Sequence, residues 1–253
     1  LYTQFAQLTL STSLWIYTTG VLLCLPLAWP QSAPPEAYKL DRASLNALTT
    51  AQAGWMLLSH LDVIILTLVA SPSQAALYLV ARRLAGLLAL LFDALRSALA
   101  PTLSVAYYRR DGFGGLAART NLGFFLIGGG AATGLAVLGP LALPLFGDTF
   151  QAATSLLIWL TLGQAAPALF GATGMLMSMT DMERPRAILI WCALPLSAAA
   201  LLYGATHSLH MLAVATALTQ LIFAAACAIA LAQRHGILPG LTALLHPKLR
   251  FKV

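Results

Sequence analysis

The 253-residue chain is 59% hydrophobic and 9% charged, against about 25% charged in a typical soluble domain, and its mean hydropathy is +0.82. So few charged side chains cannot solvate a 26.7 kDa globule, which excludes a water-soluble domain and leaves a polytopic membrane protein. The net charge of +6 comes from cations in short segments between long uncharged runs, the pattern of membrane orientation rather than of nucleic-acid binding.

A spanning helix needs about 20 apolar residues. Stretches free of Asp, Glu, Lys and Arg, divided at turn signals, predict seven spans in an all-α bundle. The first covers residues 9–29 and ends near Pro30 and the Pro34-Pro35 pair. A polar linker to residue 49 carries Glu36, Lys39, Asp41 and Arg42, and its later part reads as an interfacial amphipathic helix. Spans at 50–70 and 75–100 flank the SPSQ turn as a tight antiparallel hairpin, the second of them stopped by Pro101. The fourth, at 121–143, is glycine-rich, and Gly130 with Gly134 offers a small-xxx-small site for a neighbouring backbone. The fifth, at 152–178, carries Pro167, which predicts a kink or a break. Residues 187–233 hold no fully charged side chain, too long a run for one crossing, so GATHSLH at 204–210 is read as a turn between spans at 187–203 and 211–232.

Lys and Arg alternate with this count. Loops 30–49, 101–120 and 179–186 and the tail carry Lys or Arg, whereas residues 1–8 and loops 71–74, 144–151 and 204–210 carry none. The positive-inside rule then places the start of the chain outside and its end in the cytoplasm. An outside start with no cleavable leader points to an odd number of preceding crossings, and residue 1 is not Met. Loops of at most about 20 residues cannot fold as separate domains, so function resides within the membrane.

Cys24, Cys192 and Cys227 lie in apolar runs without metal-site or disulfide spacing and read as buried small hydrophobes. Charges inside spans are more telling, since each costs roughly 2.5 to 3.5 kcal/mol near the bilayer centre. Asp62 precedes the SPSQ turn, and Arg82 and Arg83 follow it, by about ten residues each. At 1.5 Å per residue they reach similar depth, where an antiparallel hairpin can pair them, with His60 nearby. Arg82, Asp93 and Arg96 fall within about 60° of one another on one helix face, while Arg83 points roughly 100° from Arg82. One reading is a cationic cavity wall for an anionic headgroup, with Asp62 balancing charge or exchanging a proton; the other is an internal ion pair. His207 and His210 read as solvated turn residues, and Tyr107-Tyr108 before Arg109 and Arg110 as an aromatic belt with a basic flank. Asp181 and Glu183, beside Arg184 and Arg186, read as a salt-bridged loop rather than a catalytic pair, and no phosphate-cradling glycine motif precedes a basic residue.

Four segments resemble the polysaccharide-export flippases of the multidrug, oligosaccharidyl-lipid and polysaccharide exporter superfamily. His60-Leu61-Asp62-Val63-Ile64-Ile65-Leu66 is similar to the family's Asp-bearing seventh helix. Tyr78-Leu79-Val80-Ala81-Arg82-Arg83-Leu84 resembles the opening of its eighth, with Arg83 on the basic position and Arg82 as an extra cation. Residues 101–108 resemble the Pro-initiated exit toward the cytoplasm, and Pro144-Leu145-Phe146-Gly147-Asp148-Thr149-Phe150 the short outer link before the tenth helix.

The resemblance implies two pseudo-symmetric lobes around a central cavity. Residues 1–30 would be the last helix of a first lobe, 31–49 a cytoplasmic linker, 50–232 the six-helix second lobe and 233–253 a basic cytoplasmic tail. It further implies alternating-access flipping of an anionic polyprenyl-pyrophosphate-linked oligosaccharide across the bacterial inner membrane, as in O-antigen export, without enzymatic activity, cofactor, metal or nucleic acid. Its expected partners are the glycolipid, membrane lipids and polysaccharide-assembly proteins. Arg83, Arg82 and Arg96 would bind substrate, and Asp62, Asp93 and His60 would pair charge or couple transport. A cation-coupled multidrug exporter of the same superfamily and an integral-membrane glycan polymerase or ligase remain as alternatives; more Arg than Asp within the spans weighs against the first, and the lack of a large outer loop against the second.

Overall fold

The structure, a computed structural model, describes residues 42–109, 112–180 and 182–236. The first expected span, most of the linker and the basic tail fall outside these residues. The described chain is α-helical with short 3-10 turns, and it contains no strand. In a bilayer every backbone N–H and C=O needs an internal partner, which long apolar helices supply within themselves.

The helices are α1 (Arg42–Val69), α2 (Pro72–Arg109), α3 (Phe113–Ala142), α4 (Thr154–Phe170), α5 (Thr173–Met179), α6 (Glu183–His207) and α7 (Leu209–His235), with 3-10 turns at Leu143–Phe146 and Asp148–Ala153. Six segments, α5 excepted, are long and apolar enough to cross a membrane. The protein is therefore an all-α, multi-pass membrane bundle, and the six spans expected after residue 49 are all present.

Several boundaries differ from the sequence reading. Residues 42–49 are the first turns of α1 rather than a separate segment. Pro101 does not stop the third span; it lies inside α2, which runs 38 residues to Arg109. At 1.5 Å per residue α2 is about 57 Å long, well beyond a hydrocarbon slab of about 30 Å, so Pro101 falls where the helix has left the most apolar depth and the carbonyl it frees can be hydrated. The expected turn at 204–210 shrinks to Ser208, whose hydroxyl accepts the Met211 N–H as an N-cap. Pro167 stays within α4, and the chain breaks at Gly171 instead, where φ is +78°.

Packing follows a simple order. α4 lies against α2, α3 and α7; α6 packs along α7 and along α1. The backbones of α1 and α2 approach each other at few points, although two residues join them. The expected tight hairpin is instead a V with its apex at Ala70-Ser71, because α1 lies on α6. One core, around Leu66, Tyr78, Leu157 and Leu212, lies toward the Ser71 end of the bundle. Another lies around Phe92, Leu103, Phe124 and Leu176, and a small third one around Ala51, Ala187 and Ile190 joins α1 to α6. Gly130 and Gly134 have open space beside them, so the close approach in α3 falls elsewhere. At Gly128 a Cβ would overlap the Phe92 ring and lie 2.7 Å from Ala168, and at Gly139 it would lie 2.7 Å from Leu157.

Candidate functional site at the junction of α1, α2 and α7

Asp62 is buried, only 2% exposed, in the half of α1 nearest the Ser71 turn. Its Oδ2 accepts two hydrogen bonds, from Arg82 Nε at 2.7 Å and from the Tyr78 hydroxyl at 2.9 Å. Both donors come from α2, one helical turn apart, so their side chains leave the same face. Arg82 also donates through Nη2 to the Ser59 carbonyl at 2.8 Å. The guanidinium therefore grips α1 at a carboxylate and at a backbone oxygen one turn away, the forked recognition that its planar shape allows.

The network continues into α7. Tyr78 is fully buried, and its hydroxyl lies 3.1 Å from Thr216 Oγ1. Thr216 in turn donates to the Leu212 carbonyl at 2.9 Å. Each hydroxyl has one proton. With the Tyr78 proton committed to Asp62, the Tyr78–Thr216 contact must use the proton of Thr216, which is shared with Leu212. Asp62 Oδ1, by contrast, is buried with no hydrogen-bond partner among the described residues. A buried acceptor left unmatched costs about 1–3 kcal/mol, so this junction is neutral in charge yet not fully satisfied.

Of the sequence-predicted site residues, the structure brings Asp62 and Arg82 together and separates the rest from them. His60 is exposed on α1. Two residues along a helix turn the side chain by about 200°, so burying Asp62 turns His60 outward. Arg83 is exposed, and it makes no ion pair among the described residues. Arg96 and Asp93 pair with each other at 2.9 Å, with side chains 32% and 64% exposed. Arg82 and Arg96 of α2 are thus each neutralised by a carboxylate, while Arg83, on another face, has no ion-pair partner among the described residues.

Other sequence readings sort similarly. His207 and His210 are exposed beside Ser208, stacked near Tyr203 and edge-on to Trp159. Tyr107 and Tyr108 pack edge to face near the end of α2, and Tyr107 also meets Phe113. Cys227 is buried as expected, but Cys192 is exposed on α6, and Cys24 lies outside the described residues. Glu183, Arg184 and Arg186 do not form a salt-bridged loop: they are the first turn of α6, without an ion pair among the described residues, Asp181 lying outside them. No group of three or more His, Cys, Asp or Glu able to hold a metal occurs among the described residues.

The residues that sequence reasoning missed are uncharged. Tyr78 and Thr216 complete the junction, and Asn121 forms a second one. Asn121, fully buried on α3, accepts the Ala172 N–H through Oδ1 at 3.0 Å, at the break between α4 and α5. A Cβ on Gly171 would collide with the Asn121 side chain. The signal available in the sequence was the polar atom itself, an Asn or Thr inside an apolar run, which a count of full charges passes over.

No protein-family model, curated protein or solved structure matches the chain. The class is therefore defined by fold and composition: an all-α, multi-pass membrane protein with a buried ion pair inside the bundle.

Proposed function

We propose that this chain is the second six-helix lobe of a transporter with the helix that precedes it, a flippase that moves a polyprenyl-pyrophosphate-linked oligosaccharide from the cytoplasmic to the outer leaflet of the bacterial inner membrane. One observation carries the reading: Arg83 is an exposed guanidinium on the flank of a spanning helix with no ion-pair partner among the described residues, while its neighbour Arg82 is neutralised by Asp62. A free cation at membrane depth is costly unless it faces a cavity or an anionic partner. A pyrophosphate suits it, since guanidinium binds phosphate oxygens through paired hydrogen bonds without proton uptake. Arg83 is then the substrate-binding residue, and Arg82, which the sequence left level with it, is a positioning residue inside the lobe.

On this reading the lobe contributes one wall of a cavity whose other wall lies elsewhere in the protein, and no bond is made or broken. The test is Arg83→Ala in cells. Flipping, read as the fraction of lipid-linked glycan cleaved by a non-permeant glycosidase at the outer leaflet, is expected to fall at least tenfold with protein levels unchanged, the effect of losing a charge-assisted phosphate contact. Full outer-leaflet delivery in that variant would remove the assignment.

A further inference from the structure

The junction of α1, α2 and α7 is built as a latch. Three observations point there. First, α1 is joined to α2 by only two residues, yet its backbone rests on α6 and diverges from α2. Near its midpoint α1 is held against α6 and α7: a Cβ at Gly54 would lie 2.7 Å from Ile190 of α6, and Trp55 packs on Phe223 of α7 at 5.6 Å. Second, the Arg82 side chain spans the V between α1 and α2 with two bonds to α1, at Asp62 and at the Ser59 carbonyl. Third, the closed arrangement leaves Asp62 Oδ1 buried with no hydrogen-bond partner among the described residues, so parting the helices would give that oxygen access to solvating groups while forfeiting little contact between the two backbones.

We propose that the Asp62–Arg82 pair is a releasable latch that holds the V between α1 and α2 closed, and that when Arg82 leaves Asp62 the two helices part and expose Arg82 on the same stretch of α2 as Arg83. The groups that face Asp62 are Arg82 and Tyr78 from α2 and Thr216 from α7, which reaches it through Tyr78. None of these has a second ionic partner among the described residues. The pair is therefore a self-contained two-position element, closed by one ion pair and opened by its loss. The inference concerns motion within the lobe and holds whatever the cargo is.

The test uses the full chain in lipid nanodiscs with Cys24, Cys192 and Cys227 replaced by alanine and one reporter cysteine, Ile65→Cys, on the buried side of α1 beside the junction. The rate of labelling by N-ethylmaleimide reports opening. Asp62→Asn is expected to raise that rate about tenfold, as local opening becomes more populated, with Arg82→Lys between it and the parent. Asp62→Asn combined with Arg82→Gln also lacks the ion pair, so it labels at least as fast as Asp62→Asn. A second reporter, Leu157→Cys in the core of α4, stays slow in every variant. An unchanged rate in Asp62→Asn would overturn the latch, as would labelling at the parental rate in the double variant. Labelling of Leu157→Cys in step with Ile65→Cys would also overturn it, because the whole lobe and not the V would then be loosening.

Discussion

Among the described residues a charged and a neutral buried polar junction join helices, and they are constructed on opposite logics. At Asp62 two side chains of α2 converge on a single carboxylate oxygen while the other oxygen goes unmatched. At Asn121 one amide oxygen answers one backbone N–H, freed because the chain leaves helical geometry at Gly171. The first ties side chains of α2 to a carboxylate and, at Ser59, to a carbonyl of α1, and it replaces no rung of helical hydrogen bonding. The second replaces a missing rung of backbone hydrogen bonding, so it belongs to the path of the chain itself. In a membrane, ionic pairs suit places that open, and neutral amide bonds suit places where the backbone must remain broken in one way.

The sharpest way to break the comparison is to remove one partner from the charged junction. Arg82→Met leaves Asp62 buried without its cation, and a loss of about 3–5 kcal/mol in folding stability is expected. Reversible unfolding in mixed detergent micelles measures it. Next in size is Gly171→Ala, which forces an L side chain into a left-handed backbone and into Asn121; about 1–3 kcal/mol is the expected cost. The same substitution in an Asn121→Ala background should cost measurably less, since the collision partner is gone, and a double-mutant cycle reads that coupling. Equal costs in the two backgrounds would show that backbone strain alone sets the penalty. The smallest effect tests the glycines of α3. Gly130→Ala, with open space beside it, should stay within about 0.5 kcal/mol of the parent, whereas Gly128→Ala must displace Phe92 or Ala168 and cost more. A large loss at Gly130 would mean that its open face is covered in the folded protein.

The sequence carried the charged junction and not the neutral one, for a physical reason. Charge within an apolar run is rare and costly, so Asp62 and Arg82 announce themselves, and counting residues to the turn places them at one depth. Choosing between Arg82 and Arg83 requires knowing which face of α2 meets its neighbours, and that depends on α1 lying against α6. Their backbone separation also explains why a tight hairpin was expected where a V occurs: connection length constrains the ends of two helices and says little about their angle. Pro101 misled, since it sits inside α2 and does not stop it. Pro167 lies inside its helix as expected, and the break of that span falls four residues on at Gly171, whose positive φ suits a residue without a Cβ. Asn121, Tyr78 and Thr216 were illegible as a set, since uncharged polar residues are common in spans and only the fold shows which ones meet.

The length of α2 gives the junction a mechanical meaning. Between Arg82 and Pro101 the helix is a rod of about 29 Å. A tilt of one degree about the point where Arg82 is held carries the Pro101 end through about 0.5 Å by that geometry. If the latch proposed above releases, a tilt of about three degrees there would carry the Pro101 end of α2 through about 1.5 Å.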